Sequence, residues 1–211
     1  MRRSAENITF EGPAGRLEGL FETQRDQAPV ASAVICHPHP LHGGTMHNKV
    51  VHTLARAFIG LQFGVLRFNF RGTGQSEGEY DEGRGELQDV LTAVRWIRER
   101  EPDLPFWLAG FSFGATIAIR AASETQPQGL ISVAPAASRL ADMTDSQPDC
   151  PWLIIHGDQD EVVDIDETVE WVNRLKPGPE LAAFPDATHF FHGKLVLLRQ
   201  AVETFVEEQR D

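Results

Sequence analysis

Short apolar runs alternate along the chain with stretches whose apolar residues recur at helical spacing. The apolar runs are β-branched or aromatic, end at turns and predict strands at 32–37, 63–70, 105–110, 129–135, 151–157 and 180–184. The helical periods fall at 50–61, 86–100, 114–123, 165–175 and, near the C-terminus, on Leu195, Leu198, Val202 and Phe205. This alternation predicts βαβ units and an α/β fold with a largely parallel sheet covered by helices on both faces.

Residues 7–23 differ from this pattern, because they contain two strand-like pieces around a Gly-Pro turn. They predict an antiparallel hairpin on one edge of the sheet. The chain has no repeat, low-complexity tract or long linker, and its length of 211 residues is that of a domain with a single hydrophobic core. We therefore expect residues 1–211 to form a single domain, with ligands bound at the carboxyl ends of the parallel strands.

The amino-acid composition disfavours several classes of function. Acidic residues outnumber basic ones by 31 to 19, for a net charge of −12. This charge disfavours nucleic acid and anionic membrane as partners, unless Lys49, Arg67 or Arg71 forms a local positive patch. No apolar run approaches the roughly 20 residues of a membrane span, and no signal-peptide core follows the N-terminal arginines. Cys36 and Cys150 suggest buried thiols, so we expect a cytoplasmic protein.

The clearest chemical motif is the segment Gly110-Phe111-Ser112-Phe113-Gly114, a G-x-S-x-G pattern between a predicted strand and a predicted helix. A sharp strand-to-helix turn exposes a serine hydroxyl, and the flanking glycines allow strand and helix to approach closely. The helix N-terminus and the Phe113 amide then face the site where an oxyanion would develop. Ser112 is the candidate nucleophile; the alternative is an incidental serine between packing glycines.

A serine nucleophile needs a base, and the base needs a group that orients it. Candidate acids follow the strand at 151–157, and candidate bases follow the strand at 180–184. They are Asp158, Asp160 and Glu161, and His189 and His192. The resulting order along the chain, Ser, Asp, His, is that of the G-x-S-x-G architecture.

These motifs resemble the α/β-hydrolase superfamily, from about residue 32 to the C-terminus. The segment His156-Gly157-Asp158-Gln159-Asp160-Glu161-Val162-Val163 fits its acid turn, H-G-x-x-D-x-x-V, and Thr188-His189-Phe190 fits its histidine. The resemblance implies the α/β-hydrolase fold, with Ser112 as nucleophile, His189 as base and Asp160 as orienter. Asp158 and His192 remain the alternatives for the last two roles. His156 is expected to be a hydrogen-bonded structural histidine.

Four histidines, His37, His39, His42 and His47, lie in the loop after the first parallel strand. In the fold implied above, this loop supplies the second oxyanion donor from its backbone. Pro38 has no amide proton, so the donor is expected to be the amide of His39, with Leu41 as second choice. The histidine spacing also permits a metal-dependent hydrolase or lyase, although no H-E-x-x-H pattern occurs. We expect no metal and no cofactor.

The segment between the strands at 129–135 and 151–157 is too short for a helical cap domain, so the chain resembles the small lidless bacterial serine hydrolases. It also resembles dienelactone hydrolases, except that those carry cysteine where Ser112 stands. We expect a shallow pocket with an apolar rim, formed by Leu41, Met46, Phe111 and Phe190, and joined by Phe113 and Phe191. Arg71, in a turn typical of the superfamily, is expected to be structural, with an anionic substrate group as its alternative partner.

Together these features predict hydrolysis of small carboxylic esters or thioesters through an acyl-enzyme on Ser112. Peptidase and acyltransferase activities would use the same residues. A metal-dependent enzyme and a non-catalytic binding protein are alternatives from other classes. The expected partner is a small-molecule substrate, and the expected state is a monomer or small homo-oligomer.

Overall fold

The computed structural model describes residues 3–140, 143 and 147–210. Eight strands form one sheet in the order β1-β2-β4-β3-β5-β6-β7-β8. The strands are β1 (Arg3–Gly12), β2 (Gly15–Gln24), β3 (Ala31–Cys36), β4 (Phe63–Phe68), β5 (Phe106–Phe111), β6 (Gly129–Val133), β7 (Trp152–Gly157) and β8 (Glu180–Phe184). Strands β3 to β8 are parallel, and β1 and β2 pair antiparallel on one edge. The predicted parallel sheet and edge hairpin are confirmed.

Within the described residues, five helices cover the sheet: α1 (Lys49–Gly60), α2 (Arg84–Arg100), α3 (Phe113–Thr125), α4 (Ile165–Val172) and α5 (Leu195–Glu208). Helices α1 and α5 pack on one face with Val50, Leu54 and Val202. Helices α2, α3 and α4 supply Val94, Ile117 and Trp171 to the core on the other face. Because both faces are covered, every residue of β3 to β7 is buried, which explains their continuous apolar runs.

The ends of the elements differ from prediction by at most four residues, the largest difference being at the hairpin, which begins at Arg3 and not at residue 7. Among the helices, the largest difference concerns the predicted helix at 165–175, since α4 ends at Val172. The amides of Arg174 and Leu175 instead bond to carbonyls three residues back, in tighter turns ahead of Pro177. Elsewhere, β4 stops at Phe68, and the next amide, that of Asn69, still donates to the Glu18 carbonyl on β2.

In the described part of the chain, two buried ion pairs hold the loops that follow β3 and β4. Arg67 on β4 donates to Glu22 on β2 and to the carbonyl of Met46. Arg71 binds Asp89 on α2, with Nη2 2.7 Å from Oδ1. Both guanidiniums are therefore engaged inside the protein, in agreement with a structural role for Arg71.

No helix in the described part of the chain combines the length and apolar character of a membrane span. Between β6 and β7, the described residues form only a short 3-10 turn, Ala137–Arg139. Among the described residues none forms a cap over the carboxyl ends of β5, β7 and β8, the strands that the predicted site residues follow.

Candidate active site

Ser112 stands at the junction between β5 and α3 with backbone angles φ 56° and ψ −122°. A non-glycine residue rarely adopts such angles, which cost on the order of 1–3 kcal/mol unless the surroundings enforce them. Here the Ser112 amide donates to the Val133 carbonyl at 2.8 Å. A Cβ on Gly110 would overlap the carbonyl of Gly114, and one on Gly114 would overlap the carbonyl of His37. Glycine is therefore required at both positions.

His189 lies between Ser112 and Asp160. Its Nε2 is 3.1 Å from the Ser112 Oγ, and its Nδ1 is 2.7 Å from the Asp160 Oδ2. His189 is buried against the Phe111 ring, with ring centroids 4.8 Å apart. Its amide donates to the Glu161 carboxylate at 3.2 Å. The three side chains predicted from the motifs thus form one hydrogen-bonded line.

Asp160 is held in place from two sides. Its Oδ1 accepts hydrogen bonds from the amides of Val162 and Val163 at 2.9 and 2.8 Å, while its Oδ2 faces His189. Burial raises the pKa of Asp160, but hydrogen bonds from His156, His189 and the two amides outweigh it and hold the pKa below its usual range. The carboxylate is therefore ionised and able to fix the proton of His189 on Nδ1.

His156 on β7 is the buried structural histidine that the sequence indicated. Its Nε2 lies 3.0 Å from the Val163 carbonyl and 3.3 Å from the Asp160 Oδ2. Its side chain is fully buried. His156 therefore supports Asp160 at Oδ2, the oxygen that also faces His189.

The alternative acid and base lie elsewhere. Asp158 and His192 are both exposed. The Asp158 amide donates to the Phe184 carbonyl, and the His192 ring packs 6.0 Å from the Phe190 ring. Among the described residues, neither side chain bonds to Ser112 or His189.

In the loop after β3, the imidazoles of His37 and His39 bond to neighbouring protein groups. His37 is buried, with Nδ1 2.6 Å from the Pro38 carbonyl, and its Nε2 accepts from the Phe70 amide. Burial lowers the pKa of His37 to about 4. His39 accepts from the Leu41 amide through Nδ1 and lies 3.1 Å from the Tyr80 hydroxyl through Nε2. Within the described residues, no three histidine, cysteine or acidic side chains are grouped as a metal site would require.

The backbone of this loop approaches the elbow closely. A Cβ on Gly44 would overlap the Pro38 carbonyl, so the loop can fold back only with glycine there. The Leu41 amide, the second-choice oxyanion donor, is already bonded to His39. In the described part of the chain, the amides of His39 and Phe113 donate to no other protein group. Both remain available to a ligand.

Beside Ser112 lies an open pocket of about 410 Å³. Ser112, His189, His39 and Phe113 line it together with Phe190, Val162, Val163 and Arg139. Of the predicted rim, Phe190 and Phe113 therefore line the pocket. The prediction was wrong for Leu41, Met46, Phe111 and Phe191, which lie outside its lining.

These errors arose because position in the sequence does not show in which direction a side chain points. Met46, Phe111 and Phe191 are buried, Phe111 as part of the inner strand β5. Leu41, in contrast, is 68% exposed and turns outward from its 3-10 turn. Sequence reasoning also missed Val162, Val163 and Arg139 as lining residues. The valines follow the motif aspartate directly, whereas no pattern marked Arg139.

The two cysteines are free, and neither belongs to this line of residues. Cys36 is buried in β3, and Cys150 is partly buried. Burial raises the pKa of both thiols, that of Cys150 to about 11. Neither is a reactive thiolate at neutral pH.

The strand order, the elbow after β5 and the acid and histidine loops after β7 and β8 define an α/β-hydrolase. Residues 39–147 match the family described as serine aminopeptidase, S33, and the chain belongs to this family of α/β-hydrolases.

Two of the similar proteins match nearly the whole chain, and a third matches part of it. A lidless α/β serine hydrolase from Xanthomonas campestris, XC6422, has 43% identity and a TM-score of 0.92, covering 97% of this chain and 94% of that one. The uncharacterized protein RP471 of Rickettsia prowazekii is 33% identical over 94% of this chain and 87% of its own length. Human monoglyceride lipase is 34% identical over 99 residues, 44% of this chain and 33% of that protein.

Proposed function

We propose that the protein hydrolyses small carboxylic esters or thioesters through an acyl-enzyme on Ser112. The observation that carries this proposal is the line from Ser112 Oγ to His189 Nε2, at 3.1 Å, and from His189 Nδ1 to Asp160, at 2.7 Å. This is the arrangement that activates a serine. Membership of a serine hydrolase fold family supports it.

In this mechanism Ser112 attacks the carbonyl carbon, and His189 Nε2 accepts the hydroxyl proton. Asp160 stabilises the imidazolium that forms. The amides of Phe113 and His39 donate to the oxyanion, each contributing on the order of 3 kcal/mol to the lowering of the barrier. His189 then returns the proton to the leaving alcohol or thiol, and a water molecule repeats the sequence on the acyl-enzyme.

The pocket lining favours an ester or thioester over the substrate of an aminopeptidase. An aminopeptidase must recognise the free ammonium of its substrate, which calls for a carboxylate near the nucleophile. No acidic residue lines the pocket among the described residues. Its volume of about 410 Å³ suits a small ligand, at the lower end of the usual range. The short linker between β6 and β7 supports open access.

The test is the intact mass of the protein after treatment with a fluorophosphonate, with peptide mapping of the adduct. We expect one adduct, on Ser112, and its loss in His189→Ala. An ester panel of acetate to octanoate, with alanine 4-nitroanilide as the aminopeptidase substrate, would then show turnover of the short esters alone. A folded protein without an adduct on Ser112 would overturn the serine mechanism, and preferred anilide cleavage would overturn the substrate class.

A further inference from the structure

The pocket beside Ser112 carries a positive charge in an acidic protein. The chain has a net charge of −12, yet the described residues that line this pocket include Arg139 and no Asp or Glu. Arg139 is an exposed residue in the turn that follows β6. Its field is one cause of a lowered pKa of His39, after burial and the neighbouring His42. The charge therefore acts inside the pocket and is not directed only to solvent.

Arg139 also lines a second cleft. This neighbouring cleft, of about 390 Å³, shares Phe113 and Arg139 with the Ser112 pocket. Leu87, Ile117 and Phe113 provide apolar lining, and Arg120 lies at its edge. The two hollows therefore adjoin at Phe113 and Arg139. A ligand with its carbonyl at Ser112 lies in the same pocket as Arg139, whose apolar lining includes Val162 and Val163.

The guanidinium of Arg139 has no carboxylate partner in the described part of the chain. The backbone of Arg139 is fixed, because Arg120 Nη2 donates to its carbonyl at 2.6 Å. Glu82, the acidic residue of the second cleft, is 3.3 Å from Arg84. Most arginines near the site are engaged in comparable pairs, such as Arg71 with Asp89 and Arg67 with Glu22. Arg139 differs from them in being available to an anion brought by a ligand.

We propose that Arg139 determines specificity by binding a carboxylate of the substrate while the scissile carbonyl lies at Ser112. The substrate class is then an ester or thioester whose apolar body carries a carboxylate several bonds from the reacting carbon. A guanidinium binds a carboxylate with two parallel hydrogen bonds, and an apolar wall beside it limits competition from water. This inference rests on the proposed esterase function and deepens it.

The test compares two esters of equal chain length. They are 4-nitrophenyl hexanoate and the 4-nitrophenyl monoester of adipic acid, in which a carboxylate replaces the terminal methyl group. In Arg139→Gln we expect the ratio of kcat/KM, adipate over hexanoate, to fall about tenfold, because only the adipate ester loses the partner of its carboxylate. Arg139→Lys should retain an intermediate ratio. Raising the salt concentration to 0.5 M should lower the wild-type ratio and leave that of Arg139→Gln unchanged.

Arg25→Gln is the matched control, since Arg25 is exposed in the turn between β2 and β3, at the opposite ends of the parallel strands. Its ratio should equal that of wild type. Equal losses on both esters in Arg139→Gln, or no change in the ratio, would overturn the assignment.

A binding measurement separates this inference from the proposed function. Monomethyl adipate is titrated into Ser112→Ala, with and without Arg139→Gln, and followed by NMR. Binding weakened about tenfold by Arg139→Gln supports the anion site even if the wild-type protein hydrolyses no ester. Binding that is absent, or independent of Arg139, overturns the anion site even if Ser112 proves to be the nucleophile.

Discussion

At the scale of single residues, the activity of the site depends on which ring nitrogen of His189 carries the proton. One carboxylate oxygen of Asp160 accepts hydrogen bonds from two backbone amides, and the other faces His189 Nδ1. In Asp160→Asn the amide oxygen would still accept from Val162 and Val163, so its NH₂ group would face His189 Nδ1. The histidine proton would then move to Nε2, which could no longer accept the proton of Ser112. We expect kcat to fall on the order of 10⁴-fold in short-ester assays, with the fold retained by circular dichroism.

Asp158→Asn provides the control for that prediction. Asp158 is a turn residue two positions away and is exposed, so its variant should keep kcat within twofold of wild type. The opposite result, with activity lost in Asp158→Asn and kept in Asp160→Asn, would assign the acid to Asp158.

Motifs predicted the aligned side chains better than they predicted the pocket. Ser112, Asp160 and His189 each lie within a local pattern that also specifies a backbone turn, so the residues can be found without knowing what surrounds them. A pocket wall has no such local pattern. Phe111 and Phe190 are both aromatic and adjacent to site residues, yet the first points into the core and the second lines the pocket. Arg139 comes from a short turn whose position depends on the whole sheet.

At the scale of elements, the elbow joins β5 to α3 with no spare space. Helix propensity alone would predict that Gly114→Ala stabilises α3 by about 1 kcal/mol. The added methyl group would, however, overlap the backbone carbonyls of His37 and Cys36, which cannot move without displacing β3. The steric overlap should outweigh the gain in helix propensity. We expect the free energy of unfolding of Gly114→Ala to fall by on the order of 3 kcal/mol. Urea denaturation measures this loss.

Gly178→Ala is the matched substitution for comparison. A Cβ at Gly178 would meet nothing closer than the Leu175 carbonyl at 3.4 Å, an ordinary contact. Its free energy of unfolding should stay within about 0.5 kcal/mol of wild type. If both variants unfold at the same urea concentration, the close approach at the elbow is not a constraint on stability.

Most helices and strands could be predicted from the sequence, because burial and periodicity give each type of element its own pattern of apolar residues. Strands β3 to β7 are buried on both faces and form continuous apolar runs, whereas α5 buries one side only. The pattern does not contain strand order, since an apolar run is equally compatible with any central position in the sheet. It was the chain order of elbow, acid turn and histidine that indicated this fold.

At the scale of the whole molecule, the buried ionisable groups make stability depend on pH. His37 connects the loop after β3 to the Phe70 amide and is kept neutral in the folded state. Its pKa is about 4 when folded, against an ordinary value of 6.5. Above pH 6.5 both states are neutral and this group contributes no pH dependence. Between pH 6.5 and 4 only the unfolded chain takes up the proton, so stability falls as pH falls, by about 3 kcal/mol in total.

The lowered pKa of Asp160 acts in the same direction at still lower pH, because its stabilisation is lost as the folded carboxylate becomes protonated. The contribution of His37 can be isolated between pH 7 and 4.5, above the range in which unfolded carboxyl groups mostly titrate. His37→Gln should be less stable at pH 7, where it loses buried hydrogen bonds, yet its free energy of unfolding should decline less steeply on acidification. His47→Gln, at an exposed loop position, should keep the wild-type slope. If His37→Gln also keeps that slope, the proton linkage of this loop resides in another group, and His37 is held by packing alone.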